Sequence, residues 1–351
     1  MKDTTKKNIA VIFGGYSAEY IVSLESASAV IKNLNREKYQ PVLIGISRSG
    51  DWYYYNGPVE SIHNNSWCCE KYCTPAVISP NRSCRDLIIL DPSGTYRISV
   101  DAALPILHGK NGEDGSVQGL FSLSGIPLAG CGILASAVCM DKDLAHKLVS
   151  LTGIRVPVSK VINISSSLES AEAFAEQTGL PLFVKPVKAG SSFGITKIFK
   201  KSQLNDAIEK AFMYDDQVIL EENIEGFEVG CAVLGNKQLI TGEPDEIQLS
   251  SGFFDFTEKY TLKTSSIHVP ARITSSKISE IKETAKFIYK TLGCRGFARV
   301  DMFLTPDGEI IFNEVNTIPG FTEHSRYPAM MKAAGLTFEE MLDKILKQAV
   351  I

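Results

Sequence analysis

Three hard oxygen donors lie close together near the end of the chain: Asp301, Glu314 and Asn316, within GFARVDMFLTPDGEIIFNEVNTIPGFTEHS over 296–325. Two carboxylates and a carboxamide, with no Cys or His among them, suit Mg²⁺, which takes few protein ligands and completes its octahedron with water and phosphate oxygens. Arg299 stands two residues before Asp301, so on a strand both side chains leave the same face, and an anion held by the metal meets a guanidinium. Further candidates lie upstream. Lys185 ends an apolar run and opens the loop KPVKAGSSFG (185–194), which can grip phosphate with an ammonium, backbone N–H groups and hydroxyls. His108 opens the glycine-rich loop HGKNGEDG, Glu19 follows FGGYSA, and Glu221, Glu222 and Glu228 flank a break between two apolar runs. Each has an ordinary alternative when taken singly: a salt-bridged surface hairpin, a flexible loop, a structural histidine, a helix-dipole partner or a solvated acidic turn.

To act together these residues need strand ends and glycine turns. The 296–325 stretch reads as two antiparallel strands joined by a turn at Thr305-Pro306-Asp307-Gly308. Residues 8–13 form an apolar run closed by Gly14-Gly15, and helical periodicity follows over 18–34, so a strand and a glycine turn lead into a helix whose N-terminus favours an anion. The turn is not the GxGxxG fingerprint of dinucleotide-binding folds. Strands are expected at 42–47, 97–100, 102–107, 182–185, 218–222 and 229–234, and helices at 116–123, 141–151, 168–178, 276–292 and 338–348. This is a mixed α/β pattern, and its strand ends are where ligands collect in such sheets. Over 250–266 no periodicity holds, and Phe253, Phe254 and Phe256 need something to cover, which suggests a lid.

A chain of 351 residues accommodates two or three domains, and its net charge of −4 argues against a nucleic-acid or anionic-membrane partner. The apolar runs are strand-length and the N-terminus is polar, so neither a membrane span nor a signal peptide is expected, and the protein reads as cytoplasmic. Eight Cys at irregular spacing read as free thiols. Cys68, Cys69, Cys73 and Cys84 with His63 invite a zinc site but lack paired CxxC spacing. The polar, Cys-rich segment 57–95 finds no account in the sequence.

The motifs FGGYSAE (13–19), LHGKNGEDG (107–115), MDK (140–142), VKPVKAGSSFG (184–194), EKY (258–260), GFARVD and NEVNTIPGFTEHS occur in one order. On them the chain resembles the D-alanine-D-alanine ligases of the ATP-grasp superfamily along nearly its whole length. The resemblance implies an α/β (α+β) ATP-grasp fold with ATP between two antiparallel sheets. It implies three domains: 1–138, 139–224, and 225–351 with the lid at 250–266. Lys142, Lys185, Glu221, Glu222, Ile224, Glu228 and Lys259 are then expected at ATP, and Asp301, Glu314 and Asn316 at two Mg²⁺, with Mn²⁺ as an alternative. Glu19 would hold the ammonium of the first D-alanine, with Ser191 and Tyr260 completing its hydrogen-bonded set. Arg299 and the backbone of Gly320 would stabilise an oxyanion. Ser325 would receive the second substrate's carboxylate, with His108 near its amine. A homodimer is expected by analogy.

The second substrate is read from Arg326, which stands after Ser325 where plain dipeptide ligases carry a small apolar residue. Together with Phe254 it resembles the D-alanine-D-serine ligases of vancomycin-resistance clusters, since a donor-rich side chain there can pair with the hydroxyl of D-serine. The guanidinium needs a carboxylate partner, expected to be Asp245 or Glu243. D-alanine is the alternative second substrate. D-lactate ligases lack the Lys259-Tyr260 pair present here. An oxidoreductase is disfavoured by the missing GxGxxG, and a non-catalytic ATP-binding module by the intact set of matched positions.

Overall fold

The computed structural model describes residues 6–349 apart from 167, 191, 250–264 and 323. Among these residues three β-sheets follow one another along the chain. The first holds β1 (Lys7–Gly14), β2 (Tyr39–Ile46), β3 (Trp52–Tyr55), β4 (Cys73–Ile78), β5 (Asp86–Asp91), β6 (Gly94–Ser99) and β7 (Ala102–Pro105), in the order β6-β5-β4-β3-β2-β1-β7. β1 pairs in parallel with β2 and β7, which explains its unbroken apolar run: a central parallel strand is covered on both faces. Gly14 ends it at φ +87°, where a Cβ would lie 2.1 Å from the Ile46 carbonyl oxygen, so the turn to the helix Tyr20–Asn33 requires glycine.

The Cys-rich segment belongs to this sheet. Its largest side chain, Trp67, is fully buried against Phe13 and Tyr55, and its Nε1 donates to the Tyr20 hydroxyl at 2.9 Å, while Ile62, Leu87 and Ile89 of the same segment are also fully buried. Gly45 makes room, since a Cβ there would lie 2.2 Å from the indole. All eight cysteines are free thiols.

The second sheet, in the order β10-β9-β11-β8, is antiparallel and comprises β8 (Ser159–Asn163), β9 (Leu182–Pro186), β10 (Thr196–Ile198) and β11 (Gln217–Glu222). Helices Leu168–Thr178 and Leu204–Phe212 cover one face through Ala171, Ala175, Ala207 and Ala211. The third sheet holds β12 (Phe227–Gly235), β13 (Leu239–Thr241), β14 (Asp245–Leu249), β15 (Ser265–His268), β16 (Phe297–Leu304) and β17 (Ile310–Asn316), with β12 between β14 and β16. The helix Ser275–Thr291 backs it with Ile281, Ala285, Ile288 and Tyr289. The last helices, Arg326–Ala333 and Phe338–Lys347, return to the first sheet, where Met330, Met341 and Ile345 share a core with Leu24, Ala27 and Ile31. Among the described residues no helix is long and apolar enough to cross a membrane.

Trp67→Ala is expected to cost about 3–5 kcal/mol of stability, seen as an earlier midpoint in denaturant unfolding. An unchanged midpoint would contradict its place in the core.

Candidate active site

The hairpin β16–β17 sets the centre of the site. Its register places Asp301 opposite Glu314 and Arg299 opposite Asn316, and a bulge after Asp301 leaves Asn313 unpaired. Residues two apart share a face, so all four polar side chains converge. Arg299 grips Asp301 through two nitrogens, Nε at 2.8 Å from Oδ1 and Nη2 at 2.7 Å from Oδ2. Asn316 Nδ2 donates to Asp301 Oδ2 at 2.9 Å. Among the described residues no three of His, Cys, Asp and Glu converge as a closed metal cage. Two carboxylates and a carboxamide on the rim of a cleft instead fit a hard divalent ion that takes its remaining ligands from phosphate and water.

That cleft, about 410 Å³, runs between the second and third sheets and is lined by Lys142, Lys185, Glu221, Ile224, Glu228 and Glu314, among others. Lys142 starts the helix Lys142–Ser150; its Nζ donates to the Ala189 carbonyl at 2.7 Å and lies 4.0 Å from Glu314. Lys185, the penultimate residue of β9, lies opposite Ile219 of β11, and its ammonium pairs diagonally with Glu221. Burial opposes ionisation of Glu221, but Lys185, His146 and Lys142 outweigh it and hold the carboxyl below its ordinary range. Its Oε1 is buried with no hydrogen-bond partner among the described residues, an acceptor left for a ligand. Glu222 also lines the cleft, and its Oε1 accepts from the Val158 N–H at 2.8 Å and pairs with Arg155.

Glu19, the N-cap of the first helix, is buried between two glycines. A Cβ on Gly109 would lie 2.1 Å from its Oε2, and one on Gly190 2.8 Å from the same atom. It thereby faces a pocket of about 300 Å³ with Arg48, Lys110 and Lys188. His108 is buried with both ring nitrogens engaged, Nδ1 at 2.8 Å from the Ile318 carbonyl and Nε2 at 3.2 Å from Ser26 Oγ. Burial pushes its pKa down to about 4, so the ring is neutral at pH 7. Its hydrogen bonds hold the Ile318 loop.

Sequence reasoning passed over Glu113 in the same loop. Its Oε2 accepts from the Gly109 N–H at 3.0 Å and its Oε1 from the Ile318 N–H at 2.7 Å, so one carboxyl joins the loop before the helix Ser116–Ser124 to the loop after β17. Burial and the nearby Glu19 carboxylate push its pKa up to about 8. The loop so held carries Gly320, where a Cβ would lie 2.8 Å from Ser325 Oγ. Ser325 stands at the N-cap position of the helix Arg326–Ala333, and its Oγ accepts from the Thr322 N–H at 3.0 Å. A helix N-terminus with a hydroxyl beside it favours a carboxylate.

Arg326 is buried and held by three acids. Its Nε and Nη2 meet Asp245 at 2.6 and 2.9 Å, its Nη1 meets Glu228 Oε1 at 2.7 Å, and Nη2 lies 3.4 Å from Asp301. Of the two partners expected from sequence, Asp245 takes the guanidinium, whereas Glu243 pairs with Lys282 at 2.6 Å. Ser191, Phe254, Lys259 and Tyr260 lie outside the described residues.

Two antiparallel sheets enclosing a cleft lined with lysines and acids, with a hairpin of oxygen donors at its rim, define an ATP-grasp enzyme. Profiles described as the D-ala D-ala ligase N-terminus and C-terminus match residues 8–131 and 148–347. The chain belongs to the D-Ala-D-Ala ligase family, ATP-dependent ligases of D-amino acids that generally use divalent metal ions. It is similar to the crystal structure of the VanG D-Ala:D-Ser ligase from Enterococcus faecalis, at 58% identity and a TM-score of 0.91 over 99% of this chain and 100% of that one. It is 44% identical to the vancomycin/teicoplanin A-type resistance protein VanA of Enterococcus faecium, over 97% of this chain and 98% of the relative. A D-alanine--D-alanine ligase of Caldicellulosiruptor bescii is 40% identical over 99% of this chain and 96% of its own length.

A carboxyl whose folded-state pKa is raised adds stability at low pH and loses it as pH climbs through that pKa. Relative to Glu113→Gln, the wild-type protein is therefore expected to lose stability as pH rises from 4.5 to about 8. Parallel stability–pH curves for the two proteins would contradict the raised pKa.

Proposed function

We propose that this protein joins D-alanine to D-serine at the expense of ATP, through a D-alanyl phosphate, and so makes peptidoglycan precursors with low vancomycin affinity. One observation carries the choice of substrate: directly after Ser325 stands a buried guanidinium, fixed by two-point contact with Asp245. Three of its N–H groups are in hydrogen bonds to described residues, and the side chain has five. A donor so oriented suits a hydroxyl, and sites built to pair with a substrate hydroxyl reject the analogue lacking it by up to about 10⁴–10⁵. The likeness to a D-Ala:D-Ser ligase at 58% identity supports the same reading.

In this scheme the carboxylate of D-alanine attacks the γ-phosphorus of ATP and ADP departs. The amine of D-serine then attacks the acyl carbon and phosphate leaves. Glu19 binds the first ammonium, with Ser191 and Tyr260 in its hydrogen-bonded set. Lys142, Lys185 and Lys259 meet the phosphates, and Glu221, Ile224 and Glu228 meet the nucleoside. Asp301, Glu314 and Asn316 would hold Mg²⁺, which neutralises phosphate charge when bound. Arg299 and the Gly320 N–H face the oxyanion that forms at the acyl carbon. Ser325 and its helix N-terminus take the carboxylate of D-serine, and His108 acts by fixing the Ile318–Gly320 turn.

The test is product analysis by mass after incubation with Mg-ATP and equimolar D-alanine and D-serine at neutral pH. Mostly D-alanyl-D-serine is expected. Mostly D-alanyl-D-alanine would contradict the reading and indicate an ordinary cell-wall ligase, while failure of D-alanine to stimulate ATP hydrolysis would contradict ligation altogether. Arg326→Leu is expected to shift the product ratio towards D-alanyl-D-alanine by on the order of tenfold or more. An unchanged ratio would place the discriminating contact elsewhere.

A further inference from the structure

The guanidinium of Arg326 lies in a notch of the third sheet, and β12 makes the notch. Gly230 pairs with Asp245 of β14 on one side and with Asp301 of β16 on the other. Three neighbouring positions thus form a row across the sheet, with carboxylates at its ends and no side chain at its middle. A Cβ on Gly230 would lie 2.4 Å from Arg326 Nη2, 2.8 Å from Asp245 Oδ1 and 2.9 Å from Asp301 Oδ1. Gly230 is absent from the residues with positive φ, so glycine is needed here for space and not for torsion. Its N–H also donates to Asp245 Oδ1 at 2.8 Å, fixing the carboxylate that holds the guanidinium.

Two residues earlier on the same strand, and so on the same face, Glu228 closes the remaining side of the notch. It accepts from Arg326 Nη1 at 2.7 Å while lining the cleft between the second and third sheets. Asp245 is wholly buried and Asp301 nearly so. In an interior this tightly packed, a side chain at 230 has to expel the guanidinium and leave two buried carboxylates short of a counter-charge.

We propose that Gly230 and Glu228 are positioning residues for second-substrate selectivity. Gly230 provides the slot in which the guanidinium lies between Asp245 and Asp301. Glu228 fixes its outer edge and ties the specificity site to the nucleotide cleft. The inference rests on Arg326 being the residue that reads the second substrate.

The experiment is the equimolar competition between D-alanine and D-serine on the full chain with Gly230→Ala and with Glu228→Gln. Both second substrates meet the same enzyme, nucleotide and acyl phosphate, so a change in ATP affinity or in the folded fraction cancels from the product ratio. Only altered reading of the second substrate moves it. Each variant is expected to lower the D-alanyl-D-serine to D-alanyl-D-alanine ratio by about tenfold or more, with KM for D-serine rising and KM for D-alanine at the first site unchanged. A wild-type ratio in either folded variant overturns the role of that residue, and if Gly230→Ala does not fold, Glu228→Gln decides. A wild-type protein that itself favours D-alanine overturns the underlying reading of Arg326. Loss of D-serine preference in Arg326→Leu, with retention in both β12 variants, overturns this inference alone.

Discussion

Two guanidiniums and three carboxylates share one enclosed cluster in the third sheet: Arg299 and Arg326 against Asp245, Asp301 and Glu228. Removing such charges from water costs several kcal/mol for each ion, and mutual attraction offsets this only where geometry is close and lone pairs are filled. The sheet meets that condition by register. Asp245, Gly230 and Asp301 lie in one row, Arg299 stands two positions from Asp301, and Arg326 enters from the start of a helix. A buried ion network is weak evidence for stability, so its retention is better explained by the chemistry it orients. It fixes one guanidinium beside the oxygen donors of the hairpin and the other beside the helix N-terminus at Ser325.

The first sheet serves this cluster from outside. Ser26 Oγ accepts from the Phe321 N–H at 3.1 Å, His108 meets the Ile318 carbonyl, and Glu113 accepts from the Ile318 N–H. Three groups from one unit thereby fix the turn between β17 and the helix Arg326–Ala333, which carries both Gly320 and Ser325. The last helices share a core with the helix Tyr20–Asn33, so the clamp rests on apolar packing as well as on polar contacts. Glu19 reaches the same region between Gly109 and Gly190, so loops from the first and second sheets meet at one carboxylate.

Much of this was legible in the sequence because it depends on local pattern. The hairpin followed from alternation around the Pro306-Asp307-Gly308 turn, and the first strand from an apolar run closed by two glycines. The convergence of Asp301, Glu314 and Asn316 followed from the two-residue period of strands, although the bulge at Asn313 left no signal. What escaped depends on contacts distant in sequence. Glu228 is 98 residues from Arg326, and Glu113 is 205 from Ile318, so neither partner can be inferred from spacing. The segment 57–95 was opaque for another reason: its buried apolar side chains, Ile62, Trp67, Ile78, Leu87 and Ile89, are spread between exposed polar stretches and so form no single readable pattern. Gly230 reads as an unremarked glycine within a strand until its neighbours across the sheet are known.

The central claim is that Arg326 reads the second substrate while Asp245 acts only by holding it. A double-mutant cycle between Arg326→Leu and Asp245→Asn, scored as the ratio of D-alanyl-D-serine to D-alanyl-D-alanine, tests this most directly. The account predicts that Asp245→Asn lowers the ratio when Arg326 is present and leaves it unchanged once Arg326 is leucine. Equal effects of Asp245→Asn in both backgrounds would contradict it, since the carboxylate would then act on the substrate independently of the guanidinium.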